Sequence, residues 1–529
     1  MNPRVLSQSL SASPLATAAI AGTARPDWYE QVPRSTAAWN ARIDAVRLES
    51  GRDWLARLAP AFEASGKAKT RLEASAAGSG VVVTTGQQPG LFGGPIYTLT
   101  KALSALAVAD ALQRSSGVPV APVFWAATDD TDFKEASATA VSLPGGAQLL
   151  RIDHVGQLGP PMSAMPLGDV SVQLEVLRKA AGSTADVRPL DLVEEFYREG
   201  QTVGSAFVGF LRSLFEPLGI AVIDASHPAT RAAAKPVLTS ALSNASEIAK
   251  AIADRNGQLE EAGFTPQVQD VPGLSLVFST TSGARRRIPI KAAAKQSATE
   301  DMGPNVLLRP VVERAILPTA TYIGGPAEVA YFAQVSPIAD VLGVPRPIIL
   351  PRWSCTVIEP HVERILEKLH LLPDDLRDPH EAESRIARAR LPKEVLDELN
   401  ATRASLDDRL DALADAVSAG EVPVSAAVTG GLRANLVRRL DRFERRLISA
   451  SKRRHADLMT EIGTARGSLF PMGKAQERAL NFVPLLARYG DTLRNGMLDG
   501  AREHAAQLVG GNASVRLPTE EAVPAREQA

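Results

Sequence analysis

The chain is short of cysteine, of net charge and of long apolar runs, and each shortage excludes something. Cys355 is the one cysteine in 529 residues, so no disulfide can close within the chain. Such usage fits a reducing compartment, and a cytoplasmic location is the expectation. In the run LPRWSCTVIEP the thiol reads as a buried packing residue rather than a nucleophile. Lys and Arg number 58 against 59 Asp and Glu, a net charge of −1, which gives no reason to expect nucleic acid or an anionic membrane as partner. No apolar run approaches the length of a membrane span. The opening stretch MNPRVLSQSLSASPLATAAIAGTARP has small and apolar residues, but Ser, Pro and Thr interrupt it and no signal-peptide core forms. It reads as a mature segment laid against the core.

The stretch Val81 to Glu135 carries the strongest organisation. Val81-Val82-Val83-Thr84-Thr85 is a β-branched run of the kind a buried parallel strand needs. Gly86 to Pro95 packs four glycines and two prolines into ten residues, too broken for a regular element. Leu99, Leu103, Leu106 and Ala107 then recur at helical spacing, Gly117-Val118-Pro119 ends that helix, and Val120 to Trp125 reads as a second buried strand. A right-handed β-loop-α-β crossover puts the glycine loop and the acidic residues after Trp125 on one carboxyl edge of the sheet, where open α/β sheets bind ligands. The glycine loop either lets backbone N–H groups approach an anion, with Gln87, Gln88, Tyr97 and Lys101 as side-chain contacts, or is a tight connection. Its spacing matches neither G-x-G-x-x-G nor G-x-x-x-x-G-K-[ST]. Asp129, Asp130, Asp132 and Glu135 offer ligands for Mg²⁺, a seat for an ammonium group or a general base; the plainer alternative is helix N-capping by Asp132.

Around this centre the periodicity predicts a helix from Thr36 to about Glu73, a β-hairpin about Leu143-Pro144-Gly145-Gly146, and a helix from Leu192 to Phe215. A strand at Gly219–Asp224 and a long helix from Ser226-His227-Pro228 to about Glu261 continue the parallel α/β pattern, with Asp224 and His227 as further site candidates. Thr280 to Arg286 joins two short strands; its arginines either meet phosphates or carboxylates or form a solvated turn. Ala320–Ile323 runs into Gly324-Gly325-Pro326 and a helix from Ala327 to Leu342, repeating strand, glycine turn, helix. Leucine seams in Pro392 to Ala419 and from Leu432 to Ile462, separated by Gly420-Glu421-Val422-Pro423, predict an antiparallel helical hairpin that pairs with a second subunit. Arg438, Arg439, Arg442, Arg445 and Arg446 read as its solvated face, and Pro518 to Ala529 as a frayed tail.

Four segments together resemble a known family. GQQPGLFGGPIYTLTKAL and PVFWAATDDTDFKE, then Pro304 to Phe332, then SLFPMGKAQERALNFVPLLARYG, resemble the bacillithiol biosynthesis cysteine-adding enzymes, the BshC family. The chain departs from the expected family pattern at Asp130-Thr131-Asp132 (Asp-His-Asp elsewhere), at Ser137-Ala138 (Asn-His) and at Arg314, where an acidic residue is more usual. The expected architecture is a Rossmann-like doubly wound parallel α/β core (1–140, 191–262, 305–375) with two small connecting-peptide-like insertions (141–190, 263–304). An antiparallel coiled-coil arm (376–467) and a return to the core with a tail (468–529) complete it.

The resemblance implies a cytoplasmic homodimer that joins L-cysteine to the amino group of glucosaminyl-malate, the last step of bacillithiol biosynthesis. Amide formation from a free carboxylate needs activation, so ATP, with Mg²⁺ as its usual companion, is the expected cofactor; a His-x-Gly-His adenylation signature is absent. The expected catalytic residues are Asp130, Asp132, Glu135 and Lys101, and the expected substrate-binding residues are Gly86, Gln87, Gln88, Gly94, Tyr97, Asn305, Arg309, Gly324, Gly325 and Glu328, with no metal ligands assigned. Arg309, always charged and preceding a proline, suits a bidentate contact with the malate carboxylates. The residues alone are also compatible with another amino-acid ligase or nucleotidyl-transfer enzyme on the same core, or with an inactive coiled-coil scaffold.

Overall fold

The computed structural model describes residues 2–51, 53–156, 159–280, 283–378, 380–420 and 423–510. Thr281 and Ser282 of the arginine turn, Glu421 and Val422 of the helical break, and the tail Pro518 to Ala529 lie outside the described residues. The chain divides into two compact units. The first runs to Val141, then through Gln148–Ile358 and from Gln476 onward; the second joins Ser142–Ala147 to Glu359–Ala475.

The first unit is built on a five-stranded parallel sheet. Its strands are β1 (Val81–Gln87), β2 (Val120–Ala126), β3 (Ala221–Asp224), β4 (Thr319–Gly324) and β5 (Ile349–Pro351), in the order β5-β4-β1-β2-β3. Both faces are covered, which is why the strands read as unbroken apolar runs rather than alternating ones. Val82, Val123, Ile223 and Tyr322 join one core with the helices Pro228–Ser243, Ala245–Glu261 and Pro326–Leu342. On the opposite face Phe124 meets Phe215 at 5.6 Å between ring centroids. From β1 the chain proceeds to β2 and β3 on one side and later to β4 and β5 on the other, so β1 and β4 flank the point where strand order reverses. The crevice for a ligand opens there. The three helices that matter to it are α1 (Ile96–Ser116), α2 (Arg309–Ile316) and α3 (Pro326–Leu342).

Smaller elements decorate this sheet. Arg4–Ser7 pairs antiparallel with Cys355–Ile358, so the amino-terminal segment does lie against the core. Ala138–Leu143 and Gly146–Arg151 form the expected hairpin, and Leu274–Ser279, Arg286–Pro289 and Met302–Pro304 form a three-stranded antiparallel sheet.

Four long helices expected from periodicity are interrupted. Thr36–Glu73 becomes Thr36–Glu49, Trp54–Phe62 and Gly66–Ala77, with Ser50 extended and Glu63 left-handed at the breaks. The expected Leu192–Phe215 helix is two, Arg188–Phe196 and Val203–Phe215, because Gly200 takes φ +85° and Thr202 with Ser205 closes a capping box. Asn244 divides Pro228–Ser243 from Ala245–Glu261, and His455 divides Ala426–Arg454 from Ala456–Leu469. Arg309 does not sit in a loop but opens α2. In each case apolar spacing carries on across a break that backbone hydrogen bonding makes.

In the second unit Lys393–Ala419 and Ala426–Arg454 run antiparallel: Arg403 pairs with Asp441 at 2.8 Å, while Arg433, further along, pairs with Asp411. Leu399 and Leu410 are buried in the seam, whereas Leu413, Val428, Leu432 and Phe443 remain exposed. The five arginines of the expected solvated face are exposed.

The glycine loop after β1 is held from a distance. Gly86 approaches β2 so closely that a Cβ would lie 2.8 Å from the Trp125 carbonyl oxygen. Gly93, at φ +85°, leaves room for Phe210, whose ring carbon a Cβ would meet at 2.5 Å. The amide nitrogen of buried Asn481 lies 3.2, 3.0 and 3.1 Å from the carbonyl oxygens of Leu91, Phe92 and Gly94, and its Oδ1 accepts from the Val483 N–H at 2.8 Å. Tyr197 donates its hydroxyl to the Gly90 carbonyl at 3.0 Å and accepts from the Gly93 N–H at 2.9 Å. Asn481→Ala strands several buried carbonyls and should lower stability by about 2–3 kcal/mol; chemical denaturation checks this, and an unchanged midpoint would show that the loop holds itself.

Candidate active site

At the carboxyl ends of β1, β2 and β4 lies a cavity of about 320 Å³. Of the residues expected from sequence, Gly86, Gln87, Gln88, Tyr97, Lys101, Asp130, Glu135, Asn305, Arg309, Gly325 and Glu328 line it. Three do not. Gly94 belongs to the Asn481-held loop. Gly324 packs beneath Ile349, where a Cβ would come to 2.6 Å, and its carbonyl accepts from Arg352 N–H at 2.9 Å. Asp132 is exposed and caps the short helix Phe133–Ala136, accepting from the Glu135 N–H at 3.1 Å. That is the N-cap role, not a place on the cavity wall.

The other outlying candidates are structural as well. Asp224 accepts from the Thr128 hydroxyl and from the Ser226 N–H, and His227 Nδ1 accepts from Ala229 N–H at 3.1 Å to cap Pro228–Ser243. Neither lines the cavity. Arg314 is buried against Glu49, away from it.

The floor is a buried ion-pair network joining the two glycine turns. Lys101, 3% exposed, reaches back from α1. Its ammonium donates to the Gly86 carbonyl at 2.7 Å and to Gln87 Oε1 at 3.0 Å, and pairs with Glu328 at 2.5 Å. Burial lowers its pKa, and Glu328 pulls it back up. Burial pushes the Glu328 carboxyl up, but Lys101 and then Arg309 outweigh it and hold it below the usual carboxylate range. Glu328 also accepts from the Gly325 N–H at 2.7 Å and from the Tyr322 hydroxyl at 2.5 Å. Arg309 donates to Glu313 at 3.1 Å and to the hydroxyls of Tyr331 and Tyr322 at 3.0 and 3.3 Å. Burial raises the Glu313 carboxyl to about 7 against the pull of Arg309.

Two consequences follow for the expected roles. All three ammonium protons of Lys101 have acceptors, so it fixes the turns in place rather than standing ready for proton transfer. Three glycine N–H groups are not free for an anion: Gly93 and Gly94 donate to the Gly90 and Leu91 carbonyls, and Gly325 donates to Glu328. These three N–H groups are spent on holding the turns themselves.

Those side chains include several that local sequence reasoning passed over. Arg352 makes a bidentate pair with Glu477 at 2.7 and 2.6 Å beneath the wall. The next residue along, Arg478, is exposed at the cavity and has no ion-pair partner among the described residues. Arg285, from the arginine turn, donates to the Pro304 carbonyl at 2.6 Å and to Asp129 at 3.3 Å, and lies 4.3 Å over the Phe278 ring. It is not a solvated turn residue. Asp129, beside the carboxylates singled out from its run, is the more deeply placed; burial raises its pKa against Arg285.

The acidic wall is ordered by hydrogen bonds. Gln88 donates to Asp130 at 2.6 Å, and Tyr97 donates to Glu135 at 3.3 Å while accepting from Gln87 at 3.3 Å. The Glu135 carboxyl is raised, first by burial and then by the charge of Asp132, with Asp130 adding to it. Among the described residues no group of three or more His, Cys, Asp or Glu is arranged to hold a metal ion.

Residues 23–353 match the family model described as "Bacillithiol biosynthesis BshC, N-terminal Rossmann-like domain". The chain belongs to the BshC family. Residues 355–507 match that family's C-terminal coiled-coil domain. A protein of Koribacter versatilis named "Putative cysteine ligase BshC" is 34% identical over 450 residues, covering 79% of this chain and 81% of its own length. One of the same name from Solibacter usitatus is 30% identical over 494 residues, 88% and 90% of the two chains. Another from Staphylococcus carnosus is 27% identical over 445 residues, 77% and 80%. BshC membership makes the chain a ligase of bacillithiol biosynthesis, on a Rossmann-like core with a coiled-coil region. No described helix is long and apolar enough to cross a membrane.

The geometry separates Asp132 from its neighbours in a measurable way. Asp132→Ala removes a helix cap and should lower stability by about 1 kcal/mol. It also removes a negative charge near Glu135, so the Glu135 pKa falls and the carboxylate stays ionised to lower pH. The acid limb of the kcat/KM profile should therefore move to lower pH with an unchanged plateau. Glu135→Gln should instead lower kcat by about 10²–10⁴, the range of a lost general base. A collapsed plateau in Asp132→Ala would return Asp132 to the catalytic set.

Proposed function

We propose that this chain joins the carboxyl group of L-cysteine to the amino group of glucosaminyl-malate. The observation that carries the reading is one cavity lined by groups of both charges: the carboxylates Asp129, Asp130 and Glu135, and the guanidinium groups of Arg478 and the networked Arg309. Ammonium groups suit the carboxylates, and the malate carboxylates suit the guanidinium groups. Arg309 has most of its donors engaged internally, which supports assigning the acceptor to Arg478. Glu135, with its raised pKa, takes the proton that the acceptor amine must lose before it attacks.

Activation of the cysteine carboxylate by ATP rests on the chemistry of amide formation: bound nucleotide supplies the leaving group that a free carboxylate lacks. The Mg²⁺ in this reading travels with the phosphates.

The arm is proposed to dimerise through the apolar residues it leaves exposed, Val428, Leu432 and Phe443 among them. The Leu432→Glu, Phe443→Glu double variant should sediment as a folded monomer; a dimer that persists would place the interface elsewhere.

Purified protein supplied with L-cysteine, glucosaminyl-malate and ATP-Mg²⁺ should form a product heavier than the acceptor by one cysteinyl residue. Arg478→Ala should raise the KM for glucosaminyl-malate by about 10–100-fold, the scale of a charge-assisted hydrogen bond, with the KM for ATP unmoved. A rise in the ATP KM alone would reassign Arg478 to the nucleotide. No amide product with any ATP-dependent mixture would sink the reading.

A further inference from the structure

A second, much smaller cavity of about 30 Å³ adjoins the first. Trp125, Asp129, Arg285 and Pro304 line both, so these four form a shared wall. Beyond that wall the small cavity is closed largely by apolar side chains, Ala225, Ala234, Leu238, Met302 and Val312. Its polar residues are engaged elsewhere. Thr230 donates to the Asp224 carbonyl at 2.8 Å, Arg231 to the Glu300 carbonyl at 3.0 Å, and Thr280 to the Asp301 carbonyl at 2.9 Å. Asp301 accepts from the Ser279 hydroxyl at 2.7 Å.

The shared wall holds one polar atom that no described residue satisfies. Trp125 is 3% exposed, and its indole N–H has no hydrogen-bond partner among the described residues. A buried donor left unpaired is costly and is found where a bound molecule or water completes it. Beside it the Asp129 carboxylate, which also feels the charge of Arg231, makes one guanidinium contact among the described residues, with Arg285 at 3.3 Å. An ionised carboxylate offers about four lone-pair positions, so an ammonium group can be seated without displacing Arg285.

From this geometry we infer that the small cavity is the side-chain pocket for the amino-acid substrate, with Asp129 seating its α-ammonium group and Trp125 closing the pocket's mouth. The inference rests on the cysteine-joining reading above and goes further by naming the residues that select the side chain. A space of about 30 Å³ holds roughly one water-sized group. A –CH₂SH side chain entering from the shared wall needs room for its sulfur and little more. With the side chain so lodged and the ammonium group on Asp129, the carboxyl group is left facing the larger cavity, where the acceptor amine approaches.

The test uses the full-length protein and two variants that change the pocket in opposite senses. Ala234→Val fills it, and Met302→Ala widens it. Calorimetric titration with L-cysteine should show Ala234→Val binding about 10–100-fold more weakly, the usual effect of a methylene-sized misfit. Met302→Ala should narrow the preference for L-cysteine over L-homocysteine by about tenfold. Both should bind glucosaminyl-malate as wild type does, which also reports correct folding. If Ala234→Val loses acceptor binding as well, Met302→Ala decides alone, since it adds space. Product formation with L-cysteine affinity and homocysteine discrimination unchanged in the deciding variant would overturn the pocket and leave the ligase reading standing. Failure of wild type to bind L-cysteine at all would overturn both, and the absence of product in the wild-type assay would identify the reading as the part that failed.

Discussion

The bond between Lys101 and Glu328 ties together two turns that are far apart in the chain and adjacent in the sheet. Lys101 lies on the helix after β1 and also holds the Gly86 carbonyl; Glu328 lies on the helix after β4 and also holds the Gly325 N–H. Each charge is buried, and each is tolerable there because the other is present and the remaining hydrogen-bonding capacity is filled. Removing Glu328 leaves the Lys101 ammonium without its carboxylate at the switch point of the sheet, and removing Lys101 leaves Glu328 to Arg309 at 3.9 Å. The cavity walls are extensions of these turns: Gln87 through Lys101, Tyr97 through Gln87, and Arg309 through Tyr322 and Glu328. What faces the cavity is therefore aimed by groups that are themselves tied into this network.

The core was legible because its signals are local. A β-branched run buried on both faces, a glycine break and a helical repeat identify β1, its turn and α1 without knowledge of anything else in the chain. Helix interruptions were not, because apolar spacing continues across Asn244 and His455 while the break is made by backbone and side-chain bonding at single residues. The second half of the pattern, Ile323 into Gly324-Gly325 and α3, was legible for the same reason as the first. Which glycines line a cavity was not: Gly325 and Gly324 are neighbours, yet only one faces the space, a matter of how Ile349 packs.

The site itself was half visible. Glu135, Asp130 and Gln88 announced themselves by following strands. Arg285, Arg478 and Asn481 could not, since each acts on residues more than 150 positions away in sequence or at the end of a long excursion through the second unit. A cluster of arginines in a turn looks the same on paper whether it faces water or lies over Phe278 beside a buried carboxylate. The same limit explains Asp132, whose acidic neighbours suggested chemistry where the backbone supplies a simpler use. Partner identity, not residue type, separates the carboxylates that line the cavity from the cap.

The lone cysteine gains meaning from the molecules a bacillithiol enzyme must handle. Cys355 is fully buried in the strand that pairs with Arg4–Ser7, and burial together with the nearby Glu477 charge pushes its thiol pKa up. Exchange with a disulfide requires an accessible thiolate as attacking group, and this side chain is neither accessible nor ionised. A protein working among low-molecular-weight thiols and their oxidised forms thus presents them with no sulfur to capture. Oxidative stress, which fills the cell with mixed disulfides, has no handle on this chain through its own sulfhydryl chemistry.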